Sequence, residues 1–332
     1  MNKWQGFFAS FISLVFLSAC NQHQKIEGDL TDLHRRLESF VEFETPIPSS
    51  PISLNAPDKV DMRISVDEIQ INLREFYALD QCELTKTVAQ RNTALGKMQL
   101  PSIRFAYEKT ILIQLKNCLA QLDDNQVIGD KLSAWLEIKQ QNLGYNWANM
   151  LTQSNETYNA FSIAGDFISA APADNFNQTK MALKALLESL EQDAIDLLTL
   201  EEHLKALDNS RLLARIWRTQ QLLNKRLDAM NPILIAFKQK NTCRNASEKE
   251  DVTIMRNIFT MFFAEKIQPL ASELNRYHYQ LSPILEQLID STYLPDNFTH
   301  YVHKKIVIDY QSYKQSMSTH VTHWQEIFAT CD

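Results

Sequence analysis

The stretch DNFTHYVHKKIVIDYQSYKQSMSTHVTHWQEIFAT, residues 296–330, decides the fold class. His303, Ile306, Tyr310, Tyr313, Met317, His320, Trp324, Ile327 and Cys331 follow one another at alternating steps of three and four. That spacing puts them on one stripe of a helix about 50 Å long, which is bundle or coiled-coil geometry.

The same period extends upstream. Asn177 to Leu207 is Leu-rich, and Asp208-Asn209-Ser210 turns the chain. Leu213, Ile216, Leu223, Leu227, Met230, Leu234 and Phe237 then follow at the same spacing, interrupted only by Gln220. Two helices joined by so short a turn are expected to form an αα-hairpin, with Asn231-Pro232 kinking the second or ending it a turn early. Lys249 to Tyr279 reads as another long helix, and Ser282-Pro283 as the start of a short one. The chain has only six glycines, too few for the turns of a β-rich fold. The expected fold is all-α: an elongated helical bundle with long antiparallel helical hairpins and two sub-bundles, residues 30–170 and 171–332.

The N-terminal part is less regular. Leu30 to Phe43 is a small amphipathic helix, and residues 45–57 form a loop holding Pro46, Pro48, Pro51 and Pro57. Ser65-Val66-Asp67-Glu68 has the form of a capping box and predicts a helix running to about Leu79. A second helix is expected over 83–95, stopped by Gly96, and a third from Pro101, with Phe105, Leu112, Leu115, Leu119 and Leu122 on its apolar face. Further helices are expected over 127–151 and 156–167.

The first residues carry an address. Lys3 precedes an uncharged apolar run, Gly6 to Leu17, which is too short to span a bilayer and reads as a signal peptide. It ends in Leu17-Ser18-Ala19-Cys20, which resembles the bacterial lipoprotein lipobox. That resemblance implies removal of residues 1–19, acylation of Cys20 (residues 20–29 forming a tether) and a membrane anchor of more than one chain. Asn21, where Asp would retain the protein at the inner membrane, points to the outer membrane facing the periplasm.

With Cys20 set aside, Cys82, Cys118, Cys243 and Cys331 remain, an even number in an oxidising compartment. Three pairings are possible, and locality favours Cys82–Cys118 and Cys243–Cys331, each restraining the unfolded chain by roughly 4 to 5 kcal/mol in the loop-entropy model. A net charge of −7, one unit more acidic once Lys3 is removed, gives no footprint for nucleic acid.

Catalytic and metal patterns are scarce. His300/His303 and His320/His323 share helix faces, but the pairs lie about 30 Å apart along the axis, and core packing is the simpler reading of His303 and His320. Glu38-Ser39 and Glu188-Ser189 lack the Gly-Leu-x-Gln context of cell-wall transglycosylases. The nucleophile-elbow and phosphate-loop patterns are absent. No catalytic residue, metal or cofactor is expected. The stretch Gln140 to Tyr158, rich in aromatic and amide side chains, is expected to serve mainly as a packing face.

One segment is more specific: Phe76-Tyr77-Ala78-Leu79-Asp80-Gln81-Cys82, then Arg91-Asn92-Thr93-Ala94-Leu95-Gly96-Lys97, Pro101-Ser102 and Tyr107-Glu108, closing at Cys118. It resembles an uncharacterised family of proteobacterial lipoproteins of similar length, which implies a periplasm-facing protein and adds no chemistry. Arg91, Asn92 and Lys97 surround a tight turn that Asp80 and Glu108 are expected to reach across a disulfide-tied hairpin, as a charge-paired junction. Any ligand site is expected there, with Tyr107. The leading expectation is a non-enzymatic envelope scaffold that offers its helices to a periplasmic protein partner. The alternatives are a binding module for a glycan fragment or lipid and a cell-wall hydrolase.

Overall fold

The computed structural model describes residues 25–50, 53–82, 84–121, 126–173 and 175–331; the signal segment 1–19, Cys20 and Asn21 lie outside them. In chain order the helices are α1 (Lys25–Val41), α2 (Leu73–Ala78), α3 (Leu84–Asn92), α4 (Ala94–Lys97), α5 (Pro101–Gln121), α6 (Gln126–Gln153) and α7 (Asn155–Ser162). There follow α8 (Phe176–Glu188), α9 (Leu197–Ser210), α10 (Leu212–Lys240), α11 (Ala246–Ile258), α12 (Gln268–Ile289), α13 (Asp296–His303) and α14 (Asp309–Ala329). The π-helical segments Phe259–Ile267 and Lys304–Ile308 join α11 to α12 and α13 to α14. The fold is an all-α bundle, and the described residues include no strand.

Helix α10 forms the axis of the main bundle. Leu213, Ile216, Leu223, Leu227, Met230 and Leu234 are buried as their spacing predicts, together with Leu212, Trp217, Leu222 and Ile233 on other sides. The helix α11–π–α12 runs antiparallel to the one that ends the chain: Phe259 packs on Phe328, Phe263 on His320, and Asn275 accepts from the Tyr310 hydroxyl. Helix α14, by contrast, runs parallel to α10. Asn224 contacts Ser312, Asn231 contacts His320, and Lys238 contacts Glu326. The Cys243–Cys331 disulfide, the pairing that locality favours, ties their shared end.

The hairpin expected between 177–207 and 213–237 does not form. Residues 189–196 break the first helix, because the buried Lys109 ammonium of α5 donates to the Leu190 carbonyl at 2.6 Å and also to that of Gln192. Asp196 then caps α9, its carboxylate accepting from the Thr199 amide. A single left-handed residue, Arg211 at φ 43°, redirects the chain into α10, so α9 lies against α8 and α7 instead.

Pro232 neither ends nor shortens α10. Proline disturbs the carbonyl ladder of the preceding turn, where the Thr45 hydroxyl donates to the Ala229 carbonyl at 3.1 Å. Pro283 likewise lies inside α12 and opens no new helix. The buried Gln220 side chain donates to the Lys305 carbonyl at 3.3 Å, inside the second π segment. The extra residue per turn of that segment shifts the stripe of the last helix, so Lys305 and Ile306 are buried while His303 is exposed.

Helix α1 buries Leu30, Leu33, Leu37 and Val41 against α10 and the first π segment. It therefore belongs to the main core, and the core does not divide at residues 170/171 as expected. The large cluster draws on residues from Ile26 to Ile327, including Phe105 and Trp147, whereas a second, small cluster holds Leu79, Leu84, Ile111, Leu115, Cys118, Ile128 and Leu132. Residues 25–29 of the expected tether are the first turn of α1. Trp147 is fully buried and donates to the Leu186 carbonyl, so the Gln140–Tyr158 stretch is indeed a packing face.

His320 is fully buried with both ring nitrogens engaged. Nε2 accepts from the Trp324 indole at 3.0 Å, which leaves the proton on Nδ1 to face Asn231 Oδ1 at 2.9 Å. Burial, and then His323, lower its pKa to about 3. His278, stacked on Tyr310, is lowered to about 4 by burial and then Lys314. The unfolded chain binds these protons near pH 6.5 and the folded chain does not, so the stabilisation is complete above that pH and is lost as pH falls toward the folded values. Between pH 6.5 and 5 the unfolding free energy is expected to fall by up to about 1.4 kcal/mol per pH unit for each of these two histidines. Urea midpoints of His320→Gln across this window are expected to show a slope shallower by one such contribution; an unchanged slope would remove His320 as its source.

Candidate ligand-binding site

The small cluster sits between α3 and the α5–α6 pair. Residues 63–72, expected to start a helix at Ser65, run extended instead. Asn149 clamps their beginning, accepting from the Ile64 amide at 2.9 Å and donating to its carbonyl at 2.8 Å, and Asn142 donates to the Asp67 carbonyl. The capping box that does form is Asn72/Glu75, at the start of α2, where both reciprocal bonds are 2.9 Å. Glu75 also pairs with Lys131 of α6. Beyond α2, the Cys82–Cys118 disulfide pins the segment to α5, again the locally favoured pairing.

Thr93, not Gly96, interrupts the expected 83–95 helix. Its hydroxyl accepts from the Gly96 amide at 2.9 Å and caps the single turn α4. Glycine is needed at 96 for proximity: a Cβ there would lie 2.2 Å from the Gln90 carbonyl oxygen and 2.7 Å from that of Arg91. The turn is closed by Arg91, whose Nη1 donates to the Gly96 carbonyl at 2.7 Å.

Beneath the extended segment lies a cavity of about 610 Å³, within the usual range of small-ligand sites. Arg91, Asn92, Lys97 and Tyr107 line it, as do Glu68, Arg104 and Lys139. Asp80 and Glu108 do not line it. Asp80 is exposed on the turn Leu79–Gln81. Glu108 is buried behind the wall, where it pairs with Arg104 at 2.7 Å and Lys139 at 2.8 Å, not with Arg91 or Lys97. The physical reason is helix register: residues 104 and 108 are one turn apart on α5, and α6 brings Lys139 to the same level. Arg91 meets Glu68 instead, at 3.8 Å.

Arg104 and Lys139 also lie 5.4 and 5.9 Å from the centre of the Tyr107 ring. Burial, and then Glu108, push the Tyr107 hydroxyl up to about 12, so it is a neutral donor at physiological pH. Arg91 is held below its ordinary value by burial and by Arg104 nearby. Arg104, Lys139, Glu68 and Trp135 were not anticipated. The Arg104–Glu108 spacing was a usable signal; Lys139 and Trp135 join the site only through the pairing of α5 with α6.

Glu108 is the counterion on which the wall rests. Replacing it by Gln leaves two half-buried cations facing each other, and breaking a buried pair in this way costs about 3–5 kcal/mol. Glu108→Gln is expected to lower the urea midpoint accordingly, and an unchanged midpoint would contradict this role.

Among the described residues no helix is long and apolar enough to cross a membrane, and no three metal-type ligands come together. No curated protein and no solved structure matches the chain. A family match spans residues 30–332, which covers the small core, the main core apart from Ile26, and the whole cavity wall. The chain belongs to the family described as "protein of unknown function (DUF3080)".

Proposed function

We propose that this chain is an exported, lipid-anchored envelope protein whose small lobe binds a small envelope ligand. The observation that carries the binding role is the 610 Å³ cavity at the Arg91–Lys97 junction. A charge-paired helix junction filled by its own side chains would leave no such space. The anchor rests on the sequence: the apolar run, the lipobox-like Leu17-Ser18-Ala19-Cys20, and Asn21 directing the protein to the periplasmic face of the outer membrane. A non-enzymatic role suits the cavity. Of its two neighbouring carboxylates, Glu108 is closed off by Arg104 and Lys139 while Glu68 is largely exposed, so they do not form the converging pair that glycoside hydrolysis uses.

A scaffold role with a periplasmic protein partner is the second reading. It is favoured by exposed apolar side chains on the same lobe: Leu95 and Met98 are each 85% accessible, and Leu100 is 55% accessible.

Two measurements test the proposal. Cys20→Ala is expected to leave the protein as an uncleaved precursor that takes up no labelled palmitate; continued lipid labelling would overturn the anchor. Native mass spectrometry of the chain isolated from its membranes is expected to show a bound small molecule. Val88→Trp, which fills the cavity from α3, is expected to lose it. A bare chain in both preparations would overturn the binding role.

A further inference from the structure

The cavity is polarised along its length. Helix α5 contributes Arg104 and Tyr107 at one end, then Ile111 and Leu115 further along. Helix α6 contributes Lys139 opposite Glu108 and Trp135 one turn away, toward the Leu132 of the small core. Helix α3 repeats the order, with Arg91 and Asn92 at one end and Val88 and Leu84 at the other. On three helices the charged residues therefore share one end and the apolar residues the other. From Arg104 to Leu115 the rise is about 16 Å.

The polar end is cationic. Arg91, Lys97, Arg104 and Lys139 face two carboxylates, Glu68 and Glu108, leaving two positive charges in excess. Arg104 and Lys139 share Glu108, Arg91 meets the exposed Glu68 at 3.8 Å, and among the described residues no carboxylate pairs with Lys97. The Arg91 Nε is buried with no hydrogen-bond partner. The apolar end runs from Ile69 and Ile71 of the extended segment, over Val88 and Trp135, to the buried Leu79, Leu84, Ile111 and Leu115.

We infer that the ligand is a single-chain anionic amphiphile. Its head lies among Arg91, Lys97 and Arg104, and its tail points along Val88 and Trp135 toward the Cys82–Cys118 disulfide. A charge excess at one end and a hydrocarbon wall at the other match such a molecule. A neutral sugar has no use for the excess charge, and a free inorganic anion has none for the apolar wall. The inference rests on the binding role proposed above and narrows it to a ligand class. A carboxylate and a phosphate head share the chemistry, and the probes below separate them.

Calorimetric titration of the full chain with octanoate, decanoate, dodecanoate and dodecyl phosphate, each below its micellar concentration, tests it. Dodecanol, acetate and inorganic phosphate serve as comparisons. Affinity is expected to rise about fourfold per added methylene, and the short anions to bind at least a hundredfold more weakly than dodecanoate. Arg91→Gln, and separately the exposed Lys97→Gln, are expected to weaken dodecanoate about tenfold and leave dodecanol unchanged. Stronger response to dodecyl phosphate than to dodecanoate would assign a phosphate head, and the reverse a carboxylate. Affinity independent of chain length, or equal for dodecanol and dodecanoate with no effect of either variant, would overturn the ligand class. Binding of a cell-wall glycopeptide that Val88→Trp abolishes would overturn it too while leaving the binding role intact; no binding by any probe would overturn both.

Discussion

Helix α10 buries side chains around most of its circumference, and a helix of that kind is stable only when other helices cover every side. The rest of the main bundle is arranged around that need. Helix α1 covers one flank, α14 another, α12 a third, and α7 closes the end near Trp217. Each fully buried leucine on these faces contributes on the order of 2 kcal/mol. Polar groups inside such a core destabilise it unless each finds a partner. Gln220 finds the Lys305 carbonyl, Asn231 finds His320, and the Thr219 hydroxyl accepts from the Ile168 amide. Single side chains of one helix thereby fix two neighbours in register: the last helix at Lys305 and at His320, and the segment around Ile168.

The small lobe obeys a different balance. Its core is a handful of residues between α3, α5 and α6, closed by a disulfide whose cysteines are 36 residues apart. Cross-linking a loop of that length restrains the unfolded chain by about 4 kcal/mol in the loop-entropy model. The covering segment is held at separated points, by Asn149, Asn142, Lys131 and Cys118, with the cavity between it and the helices. A lobe held together at its edges can leave space inside, whereas the buried side chains of the main bundle form one continuous cluster. Glu108 extends the same logic to charge: one buried carboxylate holds Arg104 and Lys139 in place while the remaining cations of the wall keep their positive excess.

The helical class was legible because the three-and-four spacing of α10 and of the last helix survives almost unchanged. Pro101, the buried Leu30–Leu33–Leu37 face and the two disulfides were legible too, since each depends on local spacing or on proximity along the chain. The misread elements share a cause. The helix over 177–207 is broken by Lys109, which lies some eighty residues earlier; the helix expected from Ser65 is replaced by an extended strap clamped by Asn149; and His303 leaves the buried stripe because a π segment forms opposite Gln220. In each case hydrogen bonds from a partner distant in sequence sit where the chain departs from its local preference. The candidate site was half visible. Arg91, Asn92, Lys97 and Tyr107 line the cavity, but Asp80 and Glu108 have other environments, and Lys139 and Trp135 enter from another helix.

By itself, then, the sequence determined that this chain is helical, where its apolar faces lie, which cysteines are close enough along the chain to pair and which catalytic patterns it lacks. Those properties follow from period, composition and spacing, which are local. Only the tertiary structure decided that α10 and α14 run parallel, that α1 joins the main core, and that four cations and a hydrocarbon wall face one cavity. Those outcomes depend on which faces meet in three dimensions. Helical periodicity says that a face must be covered; the fit of distant side chains decides what covers it.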